Sequence, residues 1–198
     1  DMNKRNADGI SPIKADLAKI DGIKSLSDLQ NYLVEATKNG ENSFYAWGVF
    51  SDLKDSNMNA IYLGEANLGL GRDYYQKTNP KNTETIAEYT KYVASMLDVL
   101  GYKNATSTAQ NIVNFEKSIA KNLLTIEQSR DATLQYNPKT MPELSKLVKN
   151  VDLAKYLTAV GVNTDRAIIG ELKYYQNLDQ IINAKNIPWI KDYMKFHL

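Results

Sequence analysis

Two apolar stripes at helical spacing, meeting at a single glycine, do most to constrain how this chain folds. Ile86, Tyr89, Val93, Met96/Leu97 and Leu100 recur at intervals of three and four, and Gly101 ends the run. Ile112, Phe115, Ile119, Leu123 and Ile126 repeat the interval in a segment expected to start near Asn104. Residues so spaced share one face of a helix. Burying each large apolar side chain contributes about 1.5–3 kcal/mol, so two stripes that cover each other offset much of the ordering entropy. The spacing predicts an antiparallel helical pair at the centre of a mainly α fold.

Shorter elements surround that pair. Ser11-Pro12 starts a helix carrying Ile13, Leu17 and Ile20, with serine as cap and proline in the first turn. Ser27 with Gln30 forms a capping box for a second helix, whose face is Leu29, Tyr32, Leu33 and Ala36 and whose end is Gly40. Phe44–Phe50 and Ala60–Leu63 are rich in aromatic and branched residues around a polar turn, the pattern of one small β-hairpin. A lone hairpin is marginal in water, so it is expected to lie against helices. Thr140 ahead of Pro142 caps a short helix to Val148, and Asp152–Val160 forms another, closed by Gly161. Ala167–Gly170 is expected to be a strand, with helices over Tyr174–Ala184 and Pro188–Leu198. No internal linker or repeat divides residues 1–198, so a single helical lobe is expected.

Composition narrows the function. The 24 basic and 23 acidic residues leave a net charge of +1, which is no electrostatic footprint for nucleic acid. Absence of cysteine removes disulfides and thiolate metal sites. No apolar run approaches the ~20 residues that span a bilayer, and the opening residues show no basic-then-apolar leader pattern. Asp1–Ala7 reads as the interior of a longer polypeptide.

Reactive groups are scarce. A zinc site needs about three protein ligands, and the only histidine is His197, expected at a surface or docking position. The same shortage removes a Ser-His-Asp triad. Asp52 and Asp55 fall at the hairpin turn, and Glu116 and Glu127 on the second long helix; turn aspartates bond their own backbone, and helix glutamates are solvated or paired. Asn3, Asp8 and Asp16 do not keep calcium-loop spacing. Of the 13 tyrosines, most fall on core stripes. The pairs Tyr74-Tyr75 and Tyr174-Tyr175 are expected to leave one ring exposed.

The segment Leu63–Tyr75 stands apart. Gly69 and Gly71 lead into Arg72-Asp73-Tyr74-Tyr75. Lone Gly-x-Gly without a following lysine-threonine or third glycine is a weak phosphate signal. It reads as a tight turn with close packing, where Arg72 and Asp73 act as a charge-assisted tie.

That segment also resembles the Gly-Leu-x-x-Arg-Asp-Tyr-Tyr signature of the neprilysin and endothelin-converting-enzyme family of zinc metallopeptidases. The likeness continues in order along the chain: Lys4–Ile10, the Ile61–Leu63 strand, Met96-Leu97 with Leu100-Gly101, Phe115-Glu116, Arg130-Asp131, Tyr136-Asn137, and Tyr193 with His197-Leu198. Two departures mark it. Only Gly71 stands before Arg72 where the family usually has two residues, and the common proline is missing. The family's His-Glu-x-x-His helix, its downstream zinc-binding glutamate and its Asn-Ala-Tyr segment do not occur here. The resemblance therefore implies a fragment: the mainly helical, non-catalytic lobe that caps the catalytic lobe of a peptidase acting on oligopeptides. It implies no catalytic, cofactor or metal residue in this chain, with zinc, the activated water and the general-base glutamate supplied by the rest of the full-length enzyme. Its partners would be that catalytic lobe and peptide substrates, with an envelope-associated or secreted location favoured. The family-motif residues carried over are Gly69, Gly71, Arg72, Asp73, Tyr74 and Tyr75.

The rival is a stand-alone helical module that grips peptide or carbohydrate through exposed tyrosines. Against it, Trp189, Tyr193, Met194 and Phe196 crowd the last helix, which predicts an apolar docking patch and self-association.

Overall fold

Short polar side chains open most helices of this protein, whose computed structural model describes residues 2–198. After α1 (Met2–Asp8), a 3-10 turn at Ser11–Ile13 leads into α2 (Lys14–Asp21). Helix α3 (Leu26–Lys38) starts at Ser25, whose hydroxyl accepts from the Asp28 amide at 3.1 Å. The cap is thus Ser25 and not Ser27, which already lies in the first turn. Leu29, Tyr32, Leu33 and Ala36 are buried as the stripe requires.

Two strands follow, β1 (Trp47–Ser51) and β2 (Asn59–Leu63), then the short α4 (Arg72–Gln76). Asn79 caps α5 (Pro80–Val99), and α6 (Ala105–Ala120) starts after Asn104. Val93, Leu97, Ala109, Ile112 and Val113 are buried between them. Gly101 between the two takes φ +86, a conformation L side chains rarely adopt. Helix α6 stops earlier than its stripe. The Gln76 amide donates to the Ala120 and Leu123 carbonyls at 2.9 and 3.0 Å, and Asn122 donates to the Ser118 carbonyl at 2.9 Å. These donors take carbonyls that a further turn would have used. Leu123 is still buried, but Ile126 is partly exposed and Glu127 lies off the helix.

The expected hairpin proves to be half of a four-stranded sheet ordered β1-β2-β4-β3. Strand β3 (Asn137–Thr140) precedes α7 (Met141–Leu147) and α8 (Leu153–Ala159), and β4 (Arg166–Ile169) follows. Strand β4 runs parallel to β2, with Ile61 opposite Ala167, and antiparallel to β3. Ala167, Ile168 and Ile169 are fully buried, the signature of a strand covered on both faces. Pro138 lacks a donor, which hides β3 in the sequence and confines it to the sheet edge.

The remaining helices are α9 (Leu172–Gln176), α10 (Leu178–Ile181) and α11 (Ile187–His197). Tyr174–Ala184 is therefore two short helices, interrupted at Asn177. Against expectation, Tyr174 and Tyr175 are both fully buried. Their hydroxyls donate to the Phe44 and Gly64 carbonyls, each at 2.6 Å. The predicted patch on α11 is corrected likewise: Tyr193 and Met194 are core residues, Phe196 packs on Tyr89 and Tyr92, and Trp189 is the one large apolar side chain of α11 with substantial exposure.

Candidate functional site

The Gly69–Tyr75 segment lies where the helical pair meets the sheet-based core, and its side chains are engaged inside the fold. Gly69 is required by proximity: a Cβ there would come within 1.8 Å of the Tyr89 hydroxyl. Gly71 sits at the N-cap of α4 with φ −56 and ψ 144, so a left-handed turn is not the reason for it. The Leu70 amide donates to the Tyr75 hydroxyl at 3.2 Å, closing the turn on itself.

Arg72 performs the predicted tie at longer range. Its guanidinium donates to Glu171 at 2.5 Å, to Glu65 at 2.7 Å and to the Leu124 carbonyl at 2.9 Å. Glu171 is buried, and its second oxygen accepts from the Leu124 amide at 2.8 Å. Burial pushes the Glu171 carboxyl above its ordinary range, opposed by the Leu124 amide and by Arg72. Asp73 contributes through its main chain, its carbonyl accepting from the Lys77 amide at 3.0 Å and the Asn82 side chain at 3.3 Å. Tyr74 and Tyr75 are half-buried.

Tyr75 leads to a second buried carboxylate. Its hydroxyl donates to Glu116 at 2.5 Å, Tyr89 donates to the other oxygen at 3.0 Å, and the His197 ring reaches that same oxygen at 2.5 Å. Glu116 has no exposed surface. Burial, then the adjacent Glu116, pushes the Tyr75 and Tyr89 hydroxyls well above their ordinary range, so both remain donors. His197 is therefore mostly buried, not a surface histidine, and Glu116 is not solvated. Donors from α4, α5 and α11 meet on α6, so the carboxylate fixes four helices at one point. No local signal marked this hub, because its partners are remote in sequence.

Asp52 forms a third centre. It accepts from the Lys54 amide at 2.8 Å and the Tyr136 hydroxyl at 2.7 Å, and pairs with Arg166. The Lys54 N–H, then Tyr136 and Arg166, hold its carboxyl down at about 2. It binds the end of β1 to β4 and to the loop before β3, beyond the local turn bond expected. Beside the Arg72 tie opens a cleft of about 420 Å³, lined among others by Trp47, Phe50, Tyr62, Glu65, Arg72 and Glu171. Among the described residues, no three His, Asp or Glu side chains stand together as a metal-ligand set. None of their helices is long and apolar enough to cross a membrane.

The N-terminal family model described as Peptidase family M13 matches residues 1–198. The chain belongs to peptidase family M13. Its relatives in that family include the neutral endopeptidase of Lactococcus lactis subsp. cremoris, 25% identical over 98% of this chain and 31% of the relative. Endothelin-converting enzyme 1 of Rattus norvegicus is 27% identical over 78% of this chain and 21% of its own length. Among solved structures, Mycobacterium tuberculosis zinc metalloprotease ZMP1 in complex with inhibitor superposes with a TM-score of 0.84 at 21% identity, over 96% of this chain and 30% of that one. PEPO from Lactobacillus rhamnosis gives 0.79 at 16% identity. At such identities the superpositions show a shared fold: a mainly helical region carrying a small sheet. The chain spans about a third of the length of the bacterial relatives it matches.

Proposed function

We propose that this M13 region is the capping lobe of a zinc metalloendopeptidase that hydrolyses oligopeptides. In this reading residues 1–198 act as one lobe, wall the reaction cavity, limit substrate size and carry no catalytic group. The observation that carries the proposal is the use of the motif: Gly69, Arg72 and Tyr75 serve internal packing and internal hydrogen bonds. A segment so engaged builds a rigid wall and leaves the chemistry to another part of the polypeptide. Zinc does not fit this chain: its one histidine is turned to Glu116 among tyrosine hydroxyls. The metal and the groups acting with it belong to the partner lobe. Closing the cavity over them excludes water and strengthens electrostatic interactions inside.

The tyrosine-platform alternative loses several of its candidate rings, because Tyr45, Tyr156, Tyr174, Tyr175 and Tyr193 are core residues. The capping reading is tested with both this chain and the full-length gene product. This chain is expected to hold no stoichiometric zinc and to leave a fluorogenic decapeptide intact. The full-length product is expected to cleave it, to lose activity to a chelator and to spare a folded protein. One tightly held zinc per 198-residue chain, or cleavage by that chain alone, overturns the lobe assignment. A full-length product indifferent to chelation overturns the enzyme.

A further inference from the structure

The β1–β2 hairpin carries an apolar cluster open to solvent. Phe50 is 64% exposed and Leu53 62%, and Val49 and Met58 are more than half exposed. Val49 alternates to the sheet face opposite Phe50, which leaves Phe50 and Leu53 as the exposed apolar pair on the cleft side, the mark of an interaction surface. Phe50 and Leu53 also line the cleft of about 420 Å³ beside the Arg72 tie, a size within the usual range of about 300–1,000 Å³ for binding sites. Gly48 lets the aromatic wall fold down onto its strand: a Cβ there would meet the Phe50 ring at 2.6 Å. The same ring meets Tyr62 edge-on at 5.9 Å.

The polar part of the cleft is electrically lopsided. It holds two carboxylates, Glu65 and Glu171, and one guanidinium, Arg72. Glu171 has both oxygens engaged, one by Arg72 and one by the Leu124 amide. Glu65 is about one-third exposed, and only one of its oxygens accepts a hydrogen bond, from Arg72. One negative charge therefore remains unbalanced in a cleft walled by Trp47, Phe50 and Tyr62. Aromatic faces attract cations and apolar stems, and a half-used carboxylate prefers a charged donor.

We propose that this cleft binds an extended peptide through a lysine or arginine side chain. The cation pairs with the open oxygen of Glu65, and the aliphatic stem and neighbouring residues lie against Phe50, Tyr62 and Trp47. The choice of a peptide rests on the peptidase reading, whereas the demand for a cation rests on Glu65.

The test is calorimetric titration of this chain with an acetylated, amidated hexapeptide containing one arginine, beside its citrulline twin. The arginine peptide is expected to bind about tenfold tighter, the scale of one charge-assisted hydrogen bond, and to weaken as salt rises. Glu65→Gln removes that preference and leaves the citrulline peptide unaffected, while Phe50→Ser weakens both peptides. Phe50 is exposed and Glu65 partly so, and unchanged melting temperatures confirm that both variants fold. Absent binding, equal binding of the twins, or a preference that survives Glu65→Gln overturns the proposal. So does binding by this chain that vanishes in the full-length product, which would make the occupant a segment of the same polypeptide. The titration involves no catalysis, so it and the peptidase reading fail separately.

Discussion

Arg72 faces two carboxylates, and Glu171 is the more deeply buried of them. Removing the guanidinium strands a buried charge, which destabilises by about 3–5 kcal/mol where such pairs have been broken. Arg72→Met is therefore expected to lower stability by an amount of that order, read by urea denaturation. Adding Glu171→Leu should recover most of the loss, because the stranded charge goes with it. Equal stability of the two variants would assign the effect to lost packing. Asp52 makes a pH prediction. Its carboxyl is held at about 2, below the ordinary 3.8, by the Lys54 amide and then by Tyr136 and Arg166. A depressed acid stabilises the fold above its unfolded value and loses that contribution as pH falls through its folded value. Between about pH 4 and about pH 2 the melting temperature should fall more steeply for the natural chain than for Asp52→Asn. Glu171 has the opposite sign, since burial raises it, but it is common to both proteins and cancels in the comparison.

At the scale of elements, Thr140 is the clearest case of sequence writing structure. Its hydroxyl accepts from the Glu143 amide at 3.3 Å, and the Glu143 carboxylate reaches back to Thr140. Thr140→Ala should remove about 1 kcal/mol, seen as a lower denaturation midpoint with an unchanged slope. Local backbone chemistry made other boundaries legible: Gly101 and Gly161, with φ +86 and +90, follow the ends of α5 and α8. The four buried residues of α3 were legible through their spacing alone. What stayed hidden depends on distant partners. Strand β3 is concealed by Pro138 and exists because β4 receives it. The early stop of α6 depends on Gln76, which is remote in sequence. Glu116 and His197 looked ordinary because nothing near either of them in sequence reports the tyrosines that meet them. Within the motif, the tie by Arg72 was readable, but not that Gly69 exists to admit Tyr89.

Across the whole molecule, two cores share the work: one between α5 and α6, and a larger one around the sheet and α11. Glu116 and His197, with the motif between the cores, join them. The sheet has a less obvious implication for biosynthesis. Ile61 in β2 pairs with Ala167 in β4, so the ribosome delivers the hairpin, both long helices and α7–α8 before the missing neighbour arrives. Throughout that interval β2 presents a bare inner edge, a ready template for another nascent copy. A version halted at residue 160 stays in that condition permanently. It should sediment as aggregate in lysates to a greater extent than the 198-residue chain, and co-expression of a strand-guarding chaperone should help the 198-residue chain more than the halted one.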